Sequence, residues 1–146
     1  MAFPYKTILC PVDFDDNSLV ALDKAIELAS QFGSKILLVH ALPIVITIGE
    51  IPPPATMYED QEKAARAKLE DISRAKLNGL SHESLLFVGD IITCILEAQK
   101  KYQPDLVVIA THGRTGIARV FLGSVAEAVV RKATCPVLTI REEPRT

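Results

Sequence analysis

The sequence has few cysteines, no surplus of charge and no long apolar run. The three cysteines, Cys10, Cys94 and Cys135, are odd in number and no two lie in C-x-x-C spacing. That gives no support to a disulfide framework or a zinc site. Cys10 and Cys135 sit in or beside apolar runs and read as small buried hydrophobes in a reducing compartment. Basic and acidic residues nearly cancel, with a net charge of −2, so neither a nucleic acid nor an anionic membrane is expected as the main partner. The most apolar stretch, Ile36 to Ile48, is interrupted by His40, Pro43 and Thr47. It falls short of the roughly 20 residues that a membrane helix needs. Met1 to Thr7 lacks the charged start and apolar middle of a signal peptide, so a cytoplasmic location is expected.

What remains is an ordinary globular composition. The chain has 146 residues, of which 49% are hydrophobic and 23% charged. One domain spanning 1–146 is expected, long enough to bury roughly 70% of its unfolded surface. Disorder, a collagen repeat and a coiled coil are excluded.

Strands and helices alternate along the chain. Thr7 to Val12 is an apolar run that ends at a polar cluster, Asp13 to Ser18, and predicts a buried strand. Leu22, Ala25, Ile26, Ala29 and Phe32 mark one helix face, with Gly33 as its stop. Lys35 to Ala41 is a second strand. Pro43 to Ala55, with Pro52, Pro53 and Pro54 together, can be neither helix nor central strand. Its Ile44, Val45, Ile46 and Ile48 would leave an apolar patch in water, so the segment is expected to fold over a pocket or a dimer edge. A helix follows from Met57 to Leu77 with Ala65, Leu69 and Ile72 inward. Ser84 to Val88 is the third strand, and Gly89-Asp90 turns the chain. Asp90 caps a helix whose core face is Ile91, Ile95, Ala98 and Tyr102, and Pro104-Asp105 stops it. Leu106 to Ala110 is the clearest strand. The loop Thr111 to Leu122 leads to a helix facing the core with Ala126, Val129, Val130 and Ala133, and Pro136 to Ile140 is the fifth strand. Strands apolar on both faces, alternating with helices, predict an open α/β sandwich around a parallel sheet.

Ligands of such sheets bind beyond the carboxyl ends of the strands, where the strand order reverses. The residues after the first and fourth strands are therefore the candidates. Gly113 and Gly116 allow close backbone approach, Arg114 supplies charge, and Gly123-Ser124 opens a helix whose free N–H groups favour an anion. These are parts of a phosphate site, but they match neither G-x-x-x-x-G-K-[ST] nor G-x-G-x-x-G. Each residue also has a purely structural reading. Ser124 to Glu127 fits a capping box with Ser124 as cap, Asp13 can cap the first helix, and the glycines can serve turns. His40 reads as a hydrogen-bonded core residue. His112 has no nucleophile and orienting acid assigned to it, so no catalytic residue is expected.

Pro11-Val12-Asp13, Leu38-Val39-His40-Ala41, Ala110 to Gly116 leading to Leu122 to Glu127, and Cys135 to Ile140 together resemble the universal stress protein family. The likeness runs from about Tyr5 to Arg141. It implies a five-stranded sheet of order 3-2-1-4-5 with helices on both faces and the first and fourth strands adjacent. The family's ATP-binding branch carries G-x-x-G, nine residues, then G-[ST]. Here Gly113, nine residues and Gly123-Ser124 fit, while Ala110 replaces the first glycine. Its methyl narrows the approach to a ribose or phosphate.

The resemblance implies an adenine nucleotide, ATP or its AMP and ADP relatives, as ligand. Asp13 would contact the nucleoside. Pro11, Val12 and Ala41 would line the adenine slot, and Ile109 and Ala110 would lie beside the ribose. Gly113, Arg114 and Gly116 would wrap the phosphates, and Gly123, Ser124 and Val125 would hold phosphate oxygens. Magnesium or manganese would arrive with the nucleotide, since no dedicated metal cage is visible. The resemblance further implies a homodimer paired through the last strand. A nucleotide-binding regulatory module is the first reading. A stress protein with an empty pocket and a slow ATP hydrolase are the alternatives. The H-x-G-H and S-G-G-x-D-S signatures of adenylyl-transfer enzymes are absent.

Overall fold

Strands that are apolar on both faces must be covered on both faces, and that requirement organises the chain. The fold is taken from a computed structural model that describes residues 4–44, 54–111 and 122–141. The elements are β1 (Thr7–Pro11), α1 (Asp16–Phe32), β2 (Lys35–Leu42), α2 (Ala55–Lys76), β3 (His82–Val88), α3 (Ile91–Tyr102), β4 (Leu106–Ala110), α4 (Ser124–Lys132) and β5 (Val137–Ile140). The five strands form a parallel sheet of order β3-β2-β1-β4-β5, the order implied by the family resemblance.

Alternate side chains of each strand feed two cores. Ile8, Cys10, Ile36, Leu38, Leu106 and Val108 point to one face, where Leu22, Ala25 and Ala29 of α1 and Leu69 of α2 cover them. Leu9, Leu37, Val39, Val107 and Ile109 point to the other, under Ile95 and Ala98 of α3 and Ala126 and Val129 of α4. Each large aliphatic side chain fully buried in this way contributes roughly 1.5–3 kcal/mol. The strand starts are tied by a side chain: the Asp105 carboxylate accepts from the backbone N–H of Lys6 (2.9 Å) and Thr7 (3.0 Å).

Gly33 ends α1 as expected, in the left-handed region at φ 68°, which glycine occupies without strain. Asp90 caps α3, accepting from the Thr93 N–H at 3.0 Å. Several boundaries differ from the sequence reading. Ala55 and Thr56 are already helical. β3 begins at His82, because an edge strand tolerates the polar His82 and Glu83 that a central strand would exclude. Ile91 is 38% and Val130 45% exposed, so neither belongs to the core face expected of it. Val130 sits one residue, about 100° of helix, from the buried Val129. Of the proline segment, residues 45–53 lie outside the described residues, as do 112–121, which include His112. Among the described residues no helix is long and apolar enough to cross a membrane.

Two capping assignments are corrected. The cap of α1 is Asp15, not Asp13. Asp15 Oδ1 accepts from Ser18 N–H at 2.8 Å, while Asp13 Oδ1 accepts from Asp15 N–H at 3.1 Å. The cap of α4 is Gly123, with no side-chain cap bond, so Ser124 is the first helical residue rather than the cap. Glu127 therefore has no capping partner and its carboxylate pairs instead with Arg131 at 2.6 Å.

Burial, and second the neighbouring Asp13 carboxyl, raise the Asp15 carboxyl above its ordinary range. A group raised in the folded state holds its proton more tightly there than in the unfolded chain. Its contribution is fully present below the unfolded value and is lost as pH rises through the folded one. Asp15→Asn keeps an oxygen for the Ser18 N–H without the charge. It is expected to melt at or above wild type at pH 7, with the difference narrowing towards about pH 4, whereas Asp15→Ala should lose about 1 kcal/mol of stability at pH 7. Thermal melts across that pH range check both.

All three cysteines are buried and free. Burial raises each thiol, and with the Asp23 charge it pushes Cys10 up to about 12. Thiolate is the reactive form. The native protein is therefore expected to resist a chromogenic thiol reagent at about pH 8 that titrates all three cysteines after denaturation.

Candidate functional site

β1 and β4 lie side by side but lead to opposite faces. The chain leaves β1 for α1 on one face and leaves β4 for α4 on the other. The two exits diverge and open a crevice beyond the strand ends. A cavity of about 210 Å³ occupies it.

The expected residues on the cavity wall come from four elements. Pro11, Val12 and Asp13 come from the end of β1 and its loop, and Ala41 from the end of β2. Ile109 and Ala110 close β4, and Gly123, Ser124 and Val125 open α4. All nine of the expected site residues that are described thus line one cavity; Gly113, Arg114 and Gly116 lie outside the described residues. Val12 is held by its N–H, which donates to the Val39 carbonyl at 2.8 Å. Ala41 and Ile109 are buried, and Ala110 is partly exposed at the wall.

The cavity lining combines two chemistries. Val39, Ala41, Ile95 and Ile109 supply apolar surface. The start of α4 supplies backbone polar groups. Gly123 donates its own N–H to the Thr111 carbonyl, and its carbonyl accepts the first helical bond from Glu127. The Gly123 N–H is therefore already engaged within the protein. The amides left by helix geometry for an anion are those of Ser124, Val125 and Ala126, one turn too early for any intrahelical carbonyl.

Asp13 lines the cavity on the β1 side, and Asp15 follows it within a hydrogen-bonded turn. Asp13 N–H donates to Ser18 Oγ at 3.2 Å, and Ser18 Oγ donates to the Asp15 carbonyl at 3.1 Å. Asp15 Oδ2 is buried without a hydrogen-bond partner among the described residues. No cluster of His, Cys, Asp or Glu among the described residues is arranged to hold a metal ion.

Some wall residues were not singled out from the sequence. His40 is half-buried and lines the cavity, and its Nδ1 donates to the Val12 carbonyl at 2.7 Å. The hydrogen-bonded reading of His40 holds, but the ring stands at a cavity wall rather than wholly in a core. Ile91 and Ile95, four apart on α3, also line the cavity. Their spacing was visible as a core face; that the face continues past the core into the wall was not.

The universal stress protein family model matches residues 4–141. A universal stress protein of Methanocaldococcus jannaschii is 31% identical over 94% of this chain and 83% of its own length. One from Thermus aquaticus is 33% identical over 94% of this chain and 99% of its own. Among solved structures, a universal stress protein in complex with cAMP is 27% identical, covers 93% of this chain and 97% of its own, and superposes with a TM-score of 0.70. A family protein from Arabidopsis thaliana with AMP bound is 22% identical, covers 94% and 92%, and has a TM-score of 0.63, which shows the shared fold. Sequence and architecture together place this chain in the universal stress protein family.

Proposed function

We propose that this protein binds an adenine nucleotide in the β1–β4 cavity and acts as a regulatory module rather than an enzyme. The observation that carries the reading is the convergence of an apolar slot and an open helix start in one crevice. A nucleotide has the same two halves, a flat base and a charged phosphate chain. Val12, Ala41 and Ile109 would flank the base and ribose, and Pro11 and Ala110 would close the slot. The Asp13 carboxylate would accept from the nucleoside. The amides of Ser124, Val125 and Ala126 would donate to phosphate oxygens, aided by the positive end of α4. Gly113, Arg114 and Gly116 would complete the phosphate wrap. The related structures holding cAMP and AMP support the ligand class. ATP is the proposed physiological ligand, with magnesium or manganese carried on its phosphates. The cytoplasm is the proposed location.

A homodimer through β5 belongs to the same reading. Among the described residues β5 is a sheet edge, with no strand beside its outer N–H and C=O groups. Leu138 on it is 40% exposed, and Val130 on α4 is 45% exposed. Light scattering at micromolar concentration should give twice the chain mass; a monomer there would refute the pairing.

Gly123→Val tests the phosphate end. The backbone of Gly123 is extended at φ −61° and ψ 158°, so a valine fits without strain. Loss of the glycine cap should lower stability by about 1 kcal/mol, roughly 2–4 °C in Tm. The branched side chain would stand where the phosphates approach. Calorimetric titration should show ATP affinity falling at least about 100-fold, the loss of one or two charge-assisted hydrogen bonds. A folded variant that binds ATP as wild type does places the phosphates elsewhere. Mass spectrometry of nucleotide released from purified wild-type protein identifies the ligand directly.

A further inference from the structure

Phe14 is the one apolar residue in the polar run Asp13 to Ser18, and it carries an unusual backbone. Its φ is 68°, in the left-handed region. A bulky residue rarely adopts that conformation, and where one does the surroundings must hold it there. The surroundings here are specific. The Phe14 ring stacks on the His40 ring, with centroids 4.1 Å apart and planes inclined by 32°. The Lys68 ammonium of α2 sits 5.4 Å from the Phe14 centroid, within cation–π range. His40 is anchored in turn, because its Nδ1 donates to the carbonyl of Val12, the residue before Asp13. Three elements thus converge on one ring: the β1 loop, β2 and α2.

We propose that Phe14 is a positioning residue, its clamped ring holding the turn that fixes the Asp13 carboxylate at the cavity. The left-handed step at Phe14 folds the chain back, so that Asp13 Oδ1 accepts from the Asp15 N–H and Asp13 N–H reaches Ser18 Oγ. Asp13 and His40 line the cavity and Phe14 is absent from its wall; of the two, Asp13 is the one whose carboxylate the Phe14 turn holds, and it is through Asp13 that Phe14 acts on the ligand. A carboxylate held in place before the ligand arrives does not need to be ordered on binding, and that ordering is a penalty a loose turn would pay.

The inference rests on the nucleotide reading for its ligand, and the test separates the two. Phe14→Ala removes the ring and keeps the backbone strain. Phe14→Gly removes the ring and relieves the strain, so it should melt at or above Phe14→Ala. Both should bind AMP, ADP and ATP about tenfold more weakly than wild type, about 1.4 kcal/mol. The loss should be equal for the three nucleotides, because the α4 end is untouched. In an Asp13→Ala background, Phe14→Gly should cost nothing further, since the residue acts through Asp13. Wild-type affinity in Phe14→Gly, or losses that add in the double variant, would overturn the proposal. Hydrogen exchange at the Asp15 and Ser18 amides without nucleotide gives a second readout, and it should be faster in both single variants. If the wild-type chain binds none of the three nucleotides, the proposed function fails. Exchange then decides this inference alone, and unchanged rates in both variants overturn it.

Discussion

Burial of the sheet on both faces is the constraint from which the cavity follows. Because Ile8 and Leu9 of β1 face opposite cores, the helices must divide between the two sides. α1 and α2 take one, α3 and α4 the other. A chain that switches sides between neighbouring strands leaves the space above their junction unfilled. The cavity is the geometric consequence of satisfying both cores at once, with the strand ends as its floor and the turn after β1 and the start of α4 at its sides.

The rim is built from backbone groups as much as from side chains. The β4 end and the α4 start are joined through Thr111, whose N–H donates to the Ile140 carbonyl and whose carbonyl accepts from Gly123. One residue thus connects the outer strand β5, the end of β4 and the start of α4. On the opposite rim, Val12 is bound to β2 through both its N–H and its carbonyl, to Val39 and to His40. Strands and α3 carry the apolar lining, while polar groups come from the turn after β1 and from the start of α4, both hydrogen-bonded to strand residues or their immediate continuation. That division suits a ligand with a flat base and a charged tail.

The sequence showed clearly whatever depends on local pattern. Apolar runs such as Leu106 to Ala110 marked the central strands, the spacing of Leu22, Ala25 and Ala29 marked a helix, Gly33 marked the stop of that helix, and Asp90 marked the start of α3. Local chemistry was less secure where two equivalent residues compete for one role. Asp13 and Asp15 are both fit to cap α1, and only the turn at Phe14 decides that Asp15 does so. Ser124 and Gly123 compete in the same way at α4, and there the glycine takes the cap because its N–H is drawn to Thr111. Ile91 and Val130 carried the period of a core face but lie at its margins, where the period continues after the neighbouring layer has ended.

The sequence by itself determined the class of fold, the number and order of its elements and, through the segments around Asp13 and Gly123, the family and the candidate site residues. Those are properties of spacing, and spacing survives in one dimension. Tertiary structure alone decided that Pro11, Ala41, Ile109 and Ser124, up to 113 positions apart, share one wall. It also decided that Gly123 gives its N–H to Thr111 and that Phe14 is held in a left-handed turn between His40 and Lys68. Each of these depends on which groups meet across the sheet and between layers, and such meetings are fixed by the packing of both cores rather than by any local run of residues.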